Sequence, residues 1–222
     1  EDIDADGDGD ILTHDSDSIF WYENYGDCNF SQRRPLVVGH HGTKAIDTKD
    51  LNGDGRIDII TANSSADEIV WYENNGNLQF SKKNITSVEA QAPRAIFSVD
   101  MDGDGNLDVL SASRDGKIAW HRNNGNKTFS PQIVISEQED APHSVFGIDI
   151  DNDEDIDVLS VGVYGDNLAL HKNAGQENFE RISLPSNNIG GKSVYAADLD
   201  HDQDIDILVA FQSEIAWFKN DG

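Results

Sequence analysis

The chain has 222 residues and carries 42 Asp and Glu against 16 Lys and Arg, a formal net charge of −26, which excludes nucleic-acid binding through phosphate neutralisation. Hydrophobic residues make up 37% of it, enough for a core if the acidic charge is compensated locally. No apolar run approaches the ~18 residues of a membrane span, and an opening Glu1 without a charged-then-apolar leader reads as a mature or excised piece with no membrane insertion.

Along the chain three markers recur in fixed phase. The first unit holds DIDADGDGD from Asp2, WYENYG from Trp21 and a lone Phe30; the second holds DLNGDGRID from Asp50, WYENNG from Trp71 and Phe80. DMDGDGNLD from Asp100, WHRNNG from Trp120 and Phe129 follow, then DIDNDEDID from Asp149, LHKNAG from Leu170 and Phe179, and finally DLDHDQDID from Asp198 with WFKNDG from Trp217. The acidic nonapeptides are 48, 50, 49 and 49 residues apart, a period that places approximate repeat units at 1–42, 43–91, 92–141, 142–190 and 191–222.

Within a unit the apolar residues alternate with period two, as Ile69 and Trp71 do against Val70 and Tyr72, and no helical period occurs. The third unit predicts AIFSV as strand one, the acidic loop, LDVLSAS as strand two, KIAWHRN as strand three, an Asn-Gly hairpin turn, and TFSPQIVIS as strand four. Four antiparallel strands per period predict an all-β fold, a β-propeller of four-stranded blades. The first unit lacks its strand one and the last its strand four, so about 4.5 blades are present. The expectation is a segment of a larger ring or assembly, since seven such blades need roughly 340 residues; the alternative is a self-contained five-bladed ring with ragged ends.

Carboxylates at alternate positions of a loop can curl around a hard cation. Positions one, three, five and nine are Asp2, Asp4, Asp6 and Asp10; Asp50, Asn52, Asp54 and Asp58; Asp100, Asp102, Asp104 and Asp108; Asp149, Asp151, Asp153 and Asp157; and Asp198, Asp200, Asp202 and Asp206. Position seven varies (Asp8, Arg56, Asn106, Asp155, Asp204), as fits a backbone carbonyl ligand whose side chain points away. Position six is Gly in three loops but Glu154 and Gln203 in the last two, which predicts strain there. Up to five Ca2+ ions, one per loop, would bring the net charge from −26 to −16, and without metal the crowded carboxylates oppose folding. The competing reading is a set of solvated acidic turns without an ion. A Kd of roughly 10⁻⁴ to 10⁻³ M, the range of extracellular modules, fills such sites outside the cell.

These residues resemble the FG-GAP/VCBS calcium-loop repeats of integrin α-subunit propellers, certain fungal lectins and many secreted proteins of marine microbes and algae. The resemblance covers essentially the whole chain, and the W-x-x-N-x-G and Phe phase is closer to the VCBS-type branch than to integrins. It implies a propeller with calcium in the loop between strands one and two of each blade, and it implies no single function.

Other features carry two readings each. Lys44, Arg94, His143 and Lys192 precede the complete loops by six positions; they either neutralise those loops, the favoured reading, or form a cationic rim for an anionic ligand such as an acidic glycan. Trp21, Trp71, Trp120 and Trp217 read as core packing rather than sugar-stacking platforms, with Tyr22, Tyr72, His121 and Phe218 as the more exposed neighbours. His40 and His41, adjacent in sequence, point to opposite faces of a strand and are poor joint ligands. Sequons at Asn29, Asn63, Asn84 and Asn126 point to a glycosylated, secreted chain. Cys28 is free, paired outside the chain, or inert. No nucleophile-elbow, P-loop, H-E-x-x-H or Cys-His motif is present, so the chain reads as non-enzymatic. The expectation is an extracellular or cell-surface scaffold or adhesion module whose partners are other blades or chains of the same assembly, glycans or cell-surface proteins. The alternatives are a calcium-dependent lectin binding between blades, and an accessory domain of a secreted polysaccharide-active enzyme.

Overall fold

The computed structural model describes residues 1–39, 42–86, 90–164, 168–175, 177–185 and 190–222; His40 and His41 lie outside them. Among the described residues eighteen strands form five antiparallel sheets. The first sheet joins β1 (Ile11–His14), β2 (Ser18–Tyr22) and β3 (Arg34–Val38); the second β4 (Thr43–Lys49), β5 (Asp58–Asn63), β6 (Glu68–Asn74) and β7 (Phe80–Thr86). The third contains β8 (Pro93–Val99), β9 (Asp108–Ser113), β10 (Ile118–His121) and β11 (Ile133–Ser136), and the fourth β12 (Pro142–Ile148), β13 (Asp157–Gly162), β14 (Leu168–Asn173) and β15 (Phe179–Leu184). The fifth has β16 (Ser193–Ala197), β17 (Asp206–Ala210) and β18 (Ile215–Phe218). Spatial order follows chain order in every sheet, so each is a simple meander.

The sheets pack face against face in succession. β4 lies against β8, β8 against β12 and β12 against β16, so the first strands of four consecutive sheets lie side by side. Four separate hydrophobic clusters fill the gaps, one per neighbouring pair of sheets. Ile69 and Trp71 of β6 pack with Ile96 and Val109 of the third sheet, whereas Val70 and Tyr72 of the same strand pack backward with Ile19 and Trp21 of the first. Alternation along such a strand therefore separates two buried faces rather than a wet and a dry one. Trp71 meets Phe129 of the next sheet edge-to-face at 6.3 Å between ring centroids, and Trp120 and Phe179 share the next cluster. The nearly constant spacing of Trp and Phe in the sequence thus records a contact between neighbouring repeats.

Three sequence expectations change here. Tyr72 and His121 are buried, not exposed, because strand three is an interior strand covered on both faces; His121 is fully enclosed, with Nε2 3.0 Å from the Ser111 hydroxyl. Trp217 is instead the exposed member of the Trp series, 50% exposed on β18, the edge strand of its sheet among the described residues. Strand four of the third sheet is much shorter than expected: Phe129 makes only an isolated bridge to Asn123, and pairing resumes at Ile133. Pro131 stands between them with no amide to donate to the ladder. Replacing Tyr72 by Ala removes a ring from between two sheets and is expected to cost about 3–5 kcal/mol in urea unfolding; a loss under about 1 kcal/mol would mean that this gap is not close-packed.

Candidate metal centre

Each acidic nonapeptide is anchored by backbone amides before any ion is considered. The position-one carboxylate turns inward to accept the amides of positions five and six: Asp100 takes Asp104 N at 3.2 Å and Gly105 N at 2.9 Å, and Asp2, Asp50, Asp149 and Asp198 repeat the pattern. The position-five carboxylate accepts the amide of position seven, as Asp104 does from Asn106 at 2.8 Å. Asp8, Arg56, Asp155 and Asp204 donate in the same way to Asp6, Asp54, Asp153 and Asp202. Position six is left-handed throughout, with φ of 73° at Glu154 and 80° at Gln203 where the other loops have Gly. Position four is left-handed as well, at Ala5, Gly53, Gly103, Asn152 and His201, a second constraint that composition alone did not reveal.

Position nine closes the loop. Asp108 starts β9 fully buried and accepts Met101 N at 3.1 Å on one oxygen and Asn123 N at 2.7 Å on the other. Asp10, Asp58, Asp157 and Asp206 do the same, with Asn24, Asn74, Asn173 and Asn220 as strand-three partners. That Asn is, with the Gly two residues on, one of two members of the W-x-x-N-x-G marker present in all five units, and the spacing of the sequence did not reveal its role. Its Oδ1 accepts the following Gly amide, and its Nδ2 donates to the position-eight carbonyl of its own loop. Asn123 Nδ2 also reaches Leu51 O of the preceding sheet at 2.9 Å, and Asn74 reaches Ile3 O at 3.3 Å. Burial pushes the carboxyls of Asp58, Asp108 and Asp157 up to about 6 despite these bonds.

Carboxylate oxygens converge in four of the five loops. Those of Asp2, Asp4 and Asp6; of Asp100, Asp102 and Asp108; of Asp149, Asp151 and Asp157; and of Asp198, Asp200 and Asp206 lie within 4.8 Å of one another. These four Asp-rich groups could hold a metal ion, and their all-oxygen donor sets suit a hard cation. In the first loop Asp4 Oδ1 is buried with no hydrogen-bond partner, an acceptor lacking a counterpart. Its carboxyl is pushed up by burial and by the neighbouring Asp6 and Asp10 charges.

Side chains outside the loops set their charge. Arg122 pairs with Asp102 at 2.9 Å, Lys172 with Asp151, and Lys219 with Asp200 at 2.9 Å and Asp202 at 3.3 Å. These three cations occupy the place directly before the strand-three Asn; in the first two units that place holds Glu23 and Glu73. Glu73 instead accepts Asn52 Nδ2 at 3.2 Å and pairs with Lys83 at 2.8 Å and with Lys127, whose contact holds its carboxyl below the usual range. The Arg56 side chain, expected to point away, folds back onto Asp54 and donates from Nε to Asn74 O at 2.7 Å, because the neighbouring carboxylate attracts it.

Lys44, Arg94, His143 and Lys192 take no part in this compensation: among the described residues none pairs with a loop carboxylate. The reason is distance along the chain, since six residues of extended strand span about 20 Å, and the basic residues sit at the opposite end of strand one from the loop it feeds. The sequons divide similarly. Asn29, Asn84 and Asn126 are exposed, whereas Asn63 is buried in β5 with its side chain bonded to Thr43 at 2.9 Å, so that position presents no acceptor in the folded chain. Cys28 is exposed and free.

Replacing Asn123 by Ala deletes the contacts that tie loop, hairpin and neighbouring sheet, and is expected to lower stability by about 3 kcal/mol in denaturant titration. Asn124→Ala, which loses only an exposed bond to Thr128, is expected to stay within about 1 kcal/mol of the parent.

Among known proteins, a family model described as FG-GAP-like repeat matches residues 50–111, 100–160 and 149–209. No curated protein matches the chain. Similar solved structures include the BP39L lectin from Burkholderia pseudomallei, 16% identical with a TM-score of 0.65, over 96% of this chain and 63% of that one. BBS1N in complex with ARL6DN is 15% identical with a TM-score of 0.60, over 94% and 61%. The V. cholerae biofilm matrix protein Bap1 is 20% identical with a TM-score of 0.58, over 100% and 36%. The chain thus spans less than two thirds of each of these structures, and at these identities the likeness is one of fold. No helix among the described residues is long and apolar enough to cross a membrane. The three matched segments together run through more than half of the sequence, and the chain belongs to the FG-GAP-like repeat family.

Proposed function

We propose that the chain is a calcium-binding, non-enzymatic extracellular propeller segment that serves as a scaffold or adhesion module within a larger assembly. The observation that carries this reading is the five-fold repetition of an amide-curled acidic loop, which in four of the five gathers its carboxylates into an oxygen-rich cluster. Carboxylates of positions one, three, five and nine would hold a calcium ion; positions one and three converge in all four groups, joined by position nine in three of them and by position five in the first. The ion supplies positive charge at the point where like charges crowd, stiffening the loop between the first two strands of each blade. Extracellular calcium concentrations suit sites of this kind, and the fold likeness to a biofilm matrix protein is compatible with that setting. Exposed Asn29, Asn84 and Asn126 would carry glycans in a eukaryotic host.

A second reading, a calcium-dependent lectin, is supported by clefts that recur between sheets on the side of the acidic loops. One of about 360 Å³ is lined by Asp102, Trp120, Arg122 and Glu177, and another of about 370 Å³ by Leu170, Leu184, Ile205 and Phe218. Their linings differ, so they would not be equivalent sites, which favours the scaffold reading. Saturable glycan binding that is lost on chelation and in Glu177→Ala would reverse that preference.

Two measurements test the calcium reading. Thermal unfolding in millimolar calcium and again after chelation is expected to show a drop in Tm of 10 °C or more, with calorimetric titration giving four to five ions per chain; an unchanged Tm would leave the loops as solvated turns. Gln203→Gly removes a left-handed non-Gly residue without altering charge, and is expected to add about 1 kcal/mol of stability in saturating calcium. Gly105→Gln in the third loop is expected to subtract a similar amount, and equal melting of all three proteins would show that position six is not under strain.

A further inference from the structure

Four basic side chains from four consecutive sheets meet in one place. Lys44 near the start of β4, Arg94 in β8, His143 in β12 and Lys192 immediately before β16 together line a cavity of about 380 Å³. They come together because the first strands of these sheets pack side by side, which turns a period in sequence into a cluster in space. Among the described residues the three permanent cations have no acidic partner, and Arg94 Nη1 contacts His143 Nε2 directly. Burial, then the Arg94 and Lys192 charges, hold the His143 ring below its ordinary range. Asp47, the nearest acidic residue along β4, is occupied: it accepts Thr48 N at 2.8 Å and Ser98 N at 2.9 Å. Three residues further along these strands, Phe97 and Phe146 meet at 4.5 Å and Phe146 and Tyr195 meet edge-on at 5.1 Å between ring centroids.

In a chain of net charge −26, three cations gathered without a counter-ion are conspicuous, and their mutual repulsion is relieved by an anion held between them. The donors approach from four directions. A carboxylate offers two oxygens in one plane, whereas a tetrahedral oxyanion offers one to each of several donors, with the Arg94 fork able to take two. We propose that Lys44, Arg94, His143 and Lys192 form a binding site for a sulfate or phosphate group, free or carried as an ester. The cavity has room for more than the bare anion. The site is separate from the acidic loops and stands on side-chain geometry alone, so it does not depend on the calcium reading.

The test is calorimetric titration of the calcium-loaded chain with sodium sulfate, and in a second arm with a sulfated monosaccharide, against sodium chloride at equal ionic strength. Saturable binding of one sulfate per chain, at least ten-fold weaker in Arg94→Gln and lost in Lys44→Gln/Lys192→Gln, is expected. Lys82→Gln, a surface lysine paired with Glu68 on another strand, should bind as the parent does. Tighter binding of the sugar sulfate than of free sulfate assigns the ester form, and equal binding assigns the free anion. The proposal is overturned if chloride produces the same response, or if the substituted chains keep the parent melting temperature and the parent affinity.

Discussion

The structure depends on a buried carboxylate at the end of each acidic loop. Asp58, Asp108 and Asp157 are enclosed, and each spends both oxygens on backbone amides, one from the start of its loop and one from the strand-three Asn. A carboxylate so placed costs free energy to desolvate, and the two amide bonds offset that cost only while the loop stays closed. Closure therefore links three things that are far apart in sequence: the curl of the loop, the register of strands one and two, and the hairpin that follows strand three. The same Asn carries the link onward, since Asn74 and Asn123 also bond to carbonyls of the preceding sheet.

Around that strut the remaining carboxylates stay exposed and crowded, and their charge is managed one loop at a time. Arg122, Lys172 and Lys219 extend from strand three over the position-three carboxylates, while the first two repeats place Glu23 and Glu73 there instead. The two groups of loops consequently differ in local field although their nonapeptides follow one pattern. In the second repeat Glu73 is neutralised by Lys83 and by Lys127 of the next repeat while it accepts the Asn52 amide of its own loop, so neighbouring repeats share charge as well as core.

Between sheets the hydrophobic clusters follow the same logic of contact with the next repeat. A sheet in this stack has no solvent face in its interior strands, so Trp71 and Tyr72, adjacent in sequence, are buried in different clusters. The convergence of the first strands then brings to one point residues that are about fifty positions apart, and the cationic cavity is the chemical consequence.

Much of this was legible in the sequence because a repeat is a local code read several times. The period, the four-strand unit, the alternating carboxylates and the packing role of Trp21, Trp71 and Trp120 all follow from residue spacing, since side-chain direction in a strand and curl in a loop are decided within a few residues. Tertiary structure alone decided what lies between units. It buried Tyr72, His121 and Asn63, because burial of an interior strand depends on the sheet stacked against it. It paired Trp71 with Phe129, assigned charge compensation to strand three rather than strand one, and gathered Lys44, Arg94, His143 and Lys192. Spacing along the chain specifies each sheet from within, whereas contacts between sheets arise only when the hydrophobic faces close on one another.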